Sequence, residues 1–148
     1  MTDLKKGIID FGDIVVTKDT TREDLLHAYG DKLSAVSIDT YVRFKRLFTI
    51  AGHQFGCGFW FGKNGVIESI ELTPFIDYKS EDWDRTGRQE ERRQFCDKWL
   101  YDRLGEPHKI IFGDIEYTFQ NVRVSCFSNF DVRDGGNAGF ITVRYFNR

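Results

Sequence analysis

Three cysteines, three histidines and one glycine-rich run are the features of this 148-residue chain whose residue types could do chemistry. The run "HQFGCGFWFGKNG", residues 53–65, holds His53, Gly56, Cys57 and Gly58 together. A Gly-x-Gly can cradle phosphate when a third glycine follows at the fingerprint spacing and a helix opens after it. Neither condition holds here, since a strand pattern follows. Cys57 would need a base within hydrogen-bond reach to become a thiolate nucleophile. His53 is four residues away, on the same face of a strand but about 13 Å along it. A metal site needs clustered ligands, and the sequence has no Cys-x-x-Cys or His-x-x-x-His pair. Cys57 therefore reads as a buried structural thiol. His27, His53 and His108 belong to different elements and read as surface or element-end residues. Glu68 and Glu71 fall on opposite faces of their strand, so spacing marks no acid/base pair. No catalytic residue, cofactor or metal ion is assigned.

The elements that would position these groups follow from periodicity. "GIIDFGDIVV" reads as a first strand or a bulged pair. Thr20 and Glu23 have capping-box spacing before a short helix with Leu25, Leu26 and Tyr29 as its buried stripe, stopped at Gly30. In "YVRFKRLFTI" the period becomes two, with Val42, Phe44, Phe48 and Ile50 on one face; Arg46 interrupts that face and Leu47 the polar one. Phe55, Cys57, Phe59 and Phe61 continue the apolar face in the next strand, opposite Gln54, Gly56, Gly58 and Trp60. Asn64-Gly65 then signals a hairpin. The return strand "VIESIELTP" places Val66, Ile70 and Leu72 together. The glycines permit twist or close approach of another element to the sheet.

Thr86 and Gln89 give a second capping-box spacing. The main helix follows, with Phe95, Cys96, Trp99, Leu100, Arg103 and Leu104 along one stripe and a stop at Gly105 and Pro107. "KIIFGDIEYTF" reads as a hairpin, and a last one turns through residues 134–137. The expected fold class is α+β: a twisted antiparallel sheet of about six strands with two helices packed on one face, as a single domain over residues 1–148.

Composition supports a packed interior, with 41% hydrophobic and 16% aromatic residues, including 14 Phe. The net charge of -2 gives no support to a nucleic-acid partner. The sequence shows no signal-peptide pattern and no run long enough to span a membrane. Three widely spaced cysteines read as reduced thiols, so the expected compartment is the cytoplasm.

Without a catalytic constellation, the surface becomes the place to look. The run "KSEDWDRTGRQEERR" mixes acids and bases as a solvated face does. Trp83 within it is either a lid over the sheet, the reading favoured by its apolar bulk, or an exposed partner contact of the kind enriched at interface hot spots. The candidate partner-binding residues are Trp60, Trp83, Asp82, Asp84, Glu90 and Glu91. The layout as a whole, with "IESIELTP", the helix end "WLYDRLGEP" and "YTFQNVRVSCFSNFDVRDGG" leading to "FITVRY", resembles immunity proteins of bacterial polymorphic toxin systems. That resemblance implies a non-enzymatic domain that binds and neutralises a cognate toxin. It carries no catalytic residues across, and a charge of -2 is less acidic than immunity proteins against nucleases often are. The alternative is a small-molecule-binding or enzymatic α+β domain, with a pocket between sheet and helix near Trp60, Trp83 and Trp99. A self-associating module, extended through an unpaired edge strand, is a third. The sequence leaves the oligomeric state open.

Overall fold

The computed structural model describes residues 1–30, 33–126 and 139–146, with residues 33–36 described by backbone alone. The chain is α+β. Two short strands, β1 (Ile9–Asp10) and β2 (Val15–Val16), pair as a small sheet, the bulged-pair alternative of the sequence. Helix α1 (Arg22–Tyr29) follows. The main antiparallel sheet contains β3 (Leu33–Ile38), β4 (Tyr41–Ile50), β5 (His53–Phe61), β6 (Ile67–Pro74), β7 (Lys109–Ile111), β8 (Asp114–Thr118), β9 (Val122–Cys126) and β10 (Ile141–Tyr145), with α2 (Arg85–Leu104) between β6 and β7. The sheet thus has eight strands, not about six. β3 lacks a readable alternation, and β7 is only three residues long.

The strand order β3-β4-β5-β6-β10-β9-β8-β7 is two four-stranded meanders joined between β6 and β10. Helix α2 makes this possible. Its twenty residues reach about 30 Å, while the four strand spacings from β6 to β7 need about 19 Å. The chain therefore crosses to the far edge, then zips back until β10 meets β6.

Register builds the core in rows. Val42, Phe59, Ile70, Val143, Val124 and Tyr117 lie side by side, as do Cys57, Leu72, Ile141, Cys126 and Ile115. The rings of Phe44 and Phe48 take the edge of Tyr29 from α1, and Phe55 takes Trp99 from α2. Arg46, which interrupts the apolar pattern, lies over the Tyr29 and Phe48 rings and pairs with Asp13 at 3.4 Å. A cation over two aromatic faces fits this position without leaving a bare charge in the core.

Local details depart from the sequence reading where tertiary bonds compete. The capping box of α1 is Thr21 with Asp24, one residue later than expected. Thr20 is occupied elsewhere: its hydroxyl accepts from the Thr17 amide and its carbonyl from the Ile67 amide. The cap of α2 is Asp84, accepting from the Gly87 amide at 2.9 Å, rather than Thr86. In the β5–β6 turn only Gly65 has positive φ (76°), while the Asn64 side chain accepts from the Val66 amide. A bulge between Trp60 and Phe61 makes Ile67, not Val66, the buried residue of the return strand. The turn expected at residues 134–137 lies outside the described residues. No helix among the described residues is long and apolar enough to cross a membrane.

Candidate functional site

The connection from β6 to α2 is where most of the candidate partner residues converge. It departs at Pro74, carries Phe75 (60% exposed), and ends at the Asp84 cap. Three helical side chains hold it down. Glu91 accepts from the amides of Lys79 (2.6 Å) and Ser80 (3.0 Å). Arg88 donates to the carbonyls of Ser80 and Glu81, pairs with Asp82 and lies 4.4 Å over the Tyr78 ring. Arg92 donates to the Tyr78 hydroxyl at 2.9 Å. The hydrogen bond to the Ser80 hydroxyl, then those to the Lys79 and Ser80 backbone, hold the Glu91 carboxyl below the usual range.

On this fixed loop Trp83 is 82% exposed. The lid reading is therefore wrong: the residues flanking Trp83 are consumed in capping and pairing, which leaves its indole pointing to solvent. The acidic candidates divide by role. Asp84 caps α2, Asp82 pairs with Arg88, and Glu91 clamps the loop. Glu90 is bonded by Arg93, which holds its carboxyl below the usual range. Asp82, Asp84 and Glu91 order the loop around Trp83, whereas Glu90 bonds only within α2, to Arg93 and Gln94.

Trp60 stands elsewhere. It is on the outer sheet face, 40% exposed, donating to Glu71 at 3.0 Å with its ring 4.4 Å from Tyr41. It pairs with Ser69, whereas the β6–α2 connection leaves the strand at Pro74. Five residues of strand separate the two, about 17 Å. The side chain that closes on Gly58 is Tyr41 itself: a Cβ at Gly58 would fall 2.3 Å from its hydroxyl, while one at Gly56 would meet the Arg43 guanidinium at 3.1 Å. Trp99 belongs to neither place, being buried against Phe55 with Arg103 stacked at 4.0 Å. The three tryptophans thus do not share a pocket.

A shallow, open cavity of about 390 Å³ lies on the surface between α2 and β8, lined by Arg93, Asp97 and Tyr101 from the helix, Pro107, and Ile115 and Tyr117 from the strand. Asp97 accepts from Arg93 at 2.6 Å, yet burial raises its carboxyl above the usual range. Burial likewise pushes Tyr117 up to about 12. Sequence reasoning missed this cavity because its residues are spread over 25 positions and two elements, although Arg93, Asp97 and Tyr101 do share one helix face at spacings of four.

Cys57 is fully buried, and burial drives its thiol well above the ordinary range, so it is not a poised nucleophile. His53 stacks on Phe95 at 4.2 Å, half-buried at the start of β5, and His108 accepts from the Thr118 amide through Nδ1. Among the described residues no three His, Cys, Asp or Glu side chains converge as a metal site.

No family model matches the sequence, and no curated protein matches it. Among solved structures, a DUF4309 family protein (YjgB) from Bacillus subtilis subsp. subtilis str. 168 is similar in fold. The TM-score is 0.51 at 16% identity, over 86% of this chain and 79% of that one. At that identity the likeness speaks to the fold alone.

Proposed function

We propose that this chain is a non-enzymatic, cytoplasmic protein-binding domain of the immunity type, which docks a protein partner through the Trp83 loop. The observation that carries the reading is an indole 82% exposed on a loop already fixed by Glu91, Arg88 and Arg92. Tryptophan is enriched at binding hot spots, and a pre-ordered loop loses little conformational freedom on docking. The carboxylates of Asp82, Asp84 and Glu91 serve this by shaping the loop, and Glu90 stands beside it on α2. The toxin is the sharper part of the proposal and rests on the sequence resemblance. Its test is to sequence the DNA flanking this gene and co-express the chain with the variable C-terminal domain of a large secreted protein encoded there. Relief of growth arrest is expected, and undiminished arrest, or flanking DNA that encodes no such protein, contradicts it.

A second reading is favoured by the α2–β8 cavity, whose volume suits a small ligand. Ligand binding there would raise the unfolding temperature in a metabolite screen, because the folded state alone binds. A screen without shifts counts against it.

A further inference from the structure

We infer that the face of the main sheet opposite the helices holds a binding site for a free nucleoside 5′-phosphate, with Trp60 as the platform for the base and Arg144 with Arg123 as the clamp for the phosphate. The site is separate from the Trp83 loop and from the α2–β8 cavity, so the proposal is independent of both readings above. Both helices pack on the other face, α1 through Tyr29 onto Phe44 and Phe48 and α2 through Trp99 onto Phe55. Register sets Trp60, Ser69, Arg144 and Arg123 side by side in one row across β5, β6, β10 and β9. Within that row Arg144 and Arg123 are direct partners, and like charges directly opposite on adjacent strands repel. Arg123 has Glu116 3.5 Å from its Nε. Arg144 is exposed and makes no ion pair among the described residues. Glu71, diagonal to Arg144 across β6 and β10, accepts from the Trp60 indole instead. In the adjacent row Arg43 and Lys109 stand with Glu71 and Glu116, so the two rows together are basic in a chain whose net charge is -2.

A phosphate between the two guanidinium groups converts their repulsion into charge-assisted contacts, since the arginine fork matches phosphate oxygens. Trp60 is held as a platform beside them. Its indole is fixed by Glu71 at 3.0 Å and by the Tyr41 ring 4.4 Å away, whose hydroxyl fills the space a Cβ at Gly58 would take, and 40% of it stays exposed. A flat base stacks on such a ring whatever its identity. Trp60 and Arg144 are two strand spacings apart, about 10 Å. The long arginine side chain shortens that gap to the reach from a base, across its ribose, to the 5′-phosphate. Ser69, small and half-buried, lies on the floor between them and leaves room for the sugar. Glu71 and Glu116 flank the phosphate position and repel the next phosphate of a strand, which selects a single nucleotide over a nucleic acid.

Adenosine 5′-monophosphate is titrated into the parent chain, beside adenosine, inorganic phosphate and a short single-stranded oligoadenylate. The expected result is a stoichiometric complex with the monophosphate, at least about tenfold tighter than with adenosine or phosphate, each of which fills only half of the site. The oligoadenylate should bind no more tightly than the monophosphate. Arg144→Thr and Trp60→Ala, both at exposed positions, should keep native circular dichroism and each weaken binding at least about tenfold. Without ligand, Arg144→Thr should melt no lower than the parent, because it removes a like-charge pair. No saturable binding of the monophosphate, phosphate or adenosine binding as tightly, or a tighter complex with the oligoadenylate would each overturn the inference. So would an Arg144→Thr chain of parental affinity, or one that melts below the parent.

Discussion

Replacing Phe112 by Asn should stabilise the protein, against the usual direction of aromatic-to-polar changes. Phe112 and Gly113 form the two-residue β7–β8 turn with φ of 50° and 88°, a pair that favours Asn-Gly. The left-handed conformation costs an ordinary L-residue about 1–2 kcal/mol, and Asn tolerates it better. Phe112 is 101% exposed, so the substitution removes no packing to offset that relief. The net gain expected is about 1 kcal/mol, or about 2–4 °C in the unfolding midpoint of a domain this size. Phe112→Gly relieves the same strain but adds freedom to the unfolded chain worth about 0.5–1 kcal/mol, leaving it near the parent. Calorimetry on the three proteins should therefore rank Asn above Gly, with Gly close to Phe. An Asn variant that melts below the parent would refute the reasoning, because it would show that the folded chain holds the ring.

Gly139→Ala should destabilise by about 2–4 kcal/mol, combining positive-φ strain with a clash against helix backbone that cannot rotate away; an unchanged denaturant midpoint would contradict it. Gly58→Ala must displace the Tyr41 ring from Trp60, so a change in Trp60 emission is expected, and a spectrum identical to the parent's would show that the ring had not moved. The Glu91 carboxyl is held below its ordinary value of 4.5, so what it adds to stability is present above about that pH and is lost as pH falls through the depressed value. The melting advantage of the parent over Glu91→Gln should accordingly be full at neutral pH and shrink in acid. An advantage that grows on acidification would reverse the assigned sign.

Much of the architecture was legible because burial imposes period two. The rows through Phe59 and Cys57 follow directly from the alternation in β4 and β5. The stripe through Cys96, Trp99 and Leu100 follows from helical spacing. What stayed hidden was set by partners distant in sequence. Thr20 looks like a cap until Thr17 and Ile67 claim it. Ile67 is buried only because Glu68 opens a bulge. The same holds at the candidate site. Glu91 and Arg88 read as two members of a solvated charged run, and only the chain's return past Tyr78 and Ser80 gives them a structural task. Trp83 is exposed for the same reason, since hydropathy alone would bury it.

The central claim is that Trp83, displayed on its fixed loop, is the principal contact with a protein partner. Trp83→Ala should leave the unfolding midpoint within about 0.5 kcal/mol of the parent, as surface changes do. Calorimetric titration of parent and variant against the purified variable domain of a secreted protein encoded in the flanking DNA tests the claim most directly. A stoichiometric complex with the parent, weakened at least about tenfold by Trp83→Ala (about 1.4 kcal/mol), is the predicted result. No complex with the parent, or equal affinity for both proteins, would contradict it.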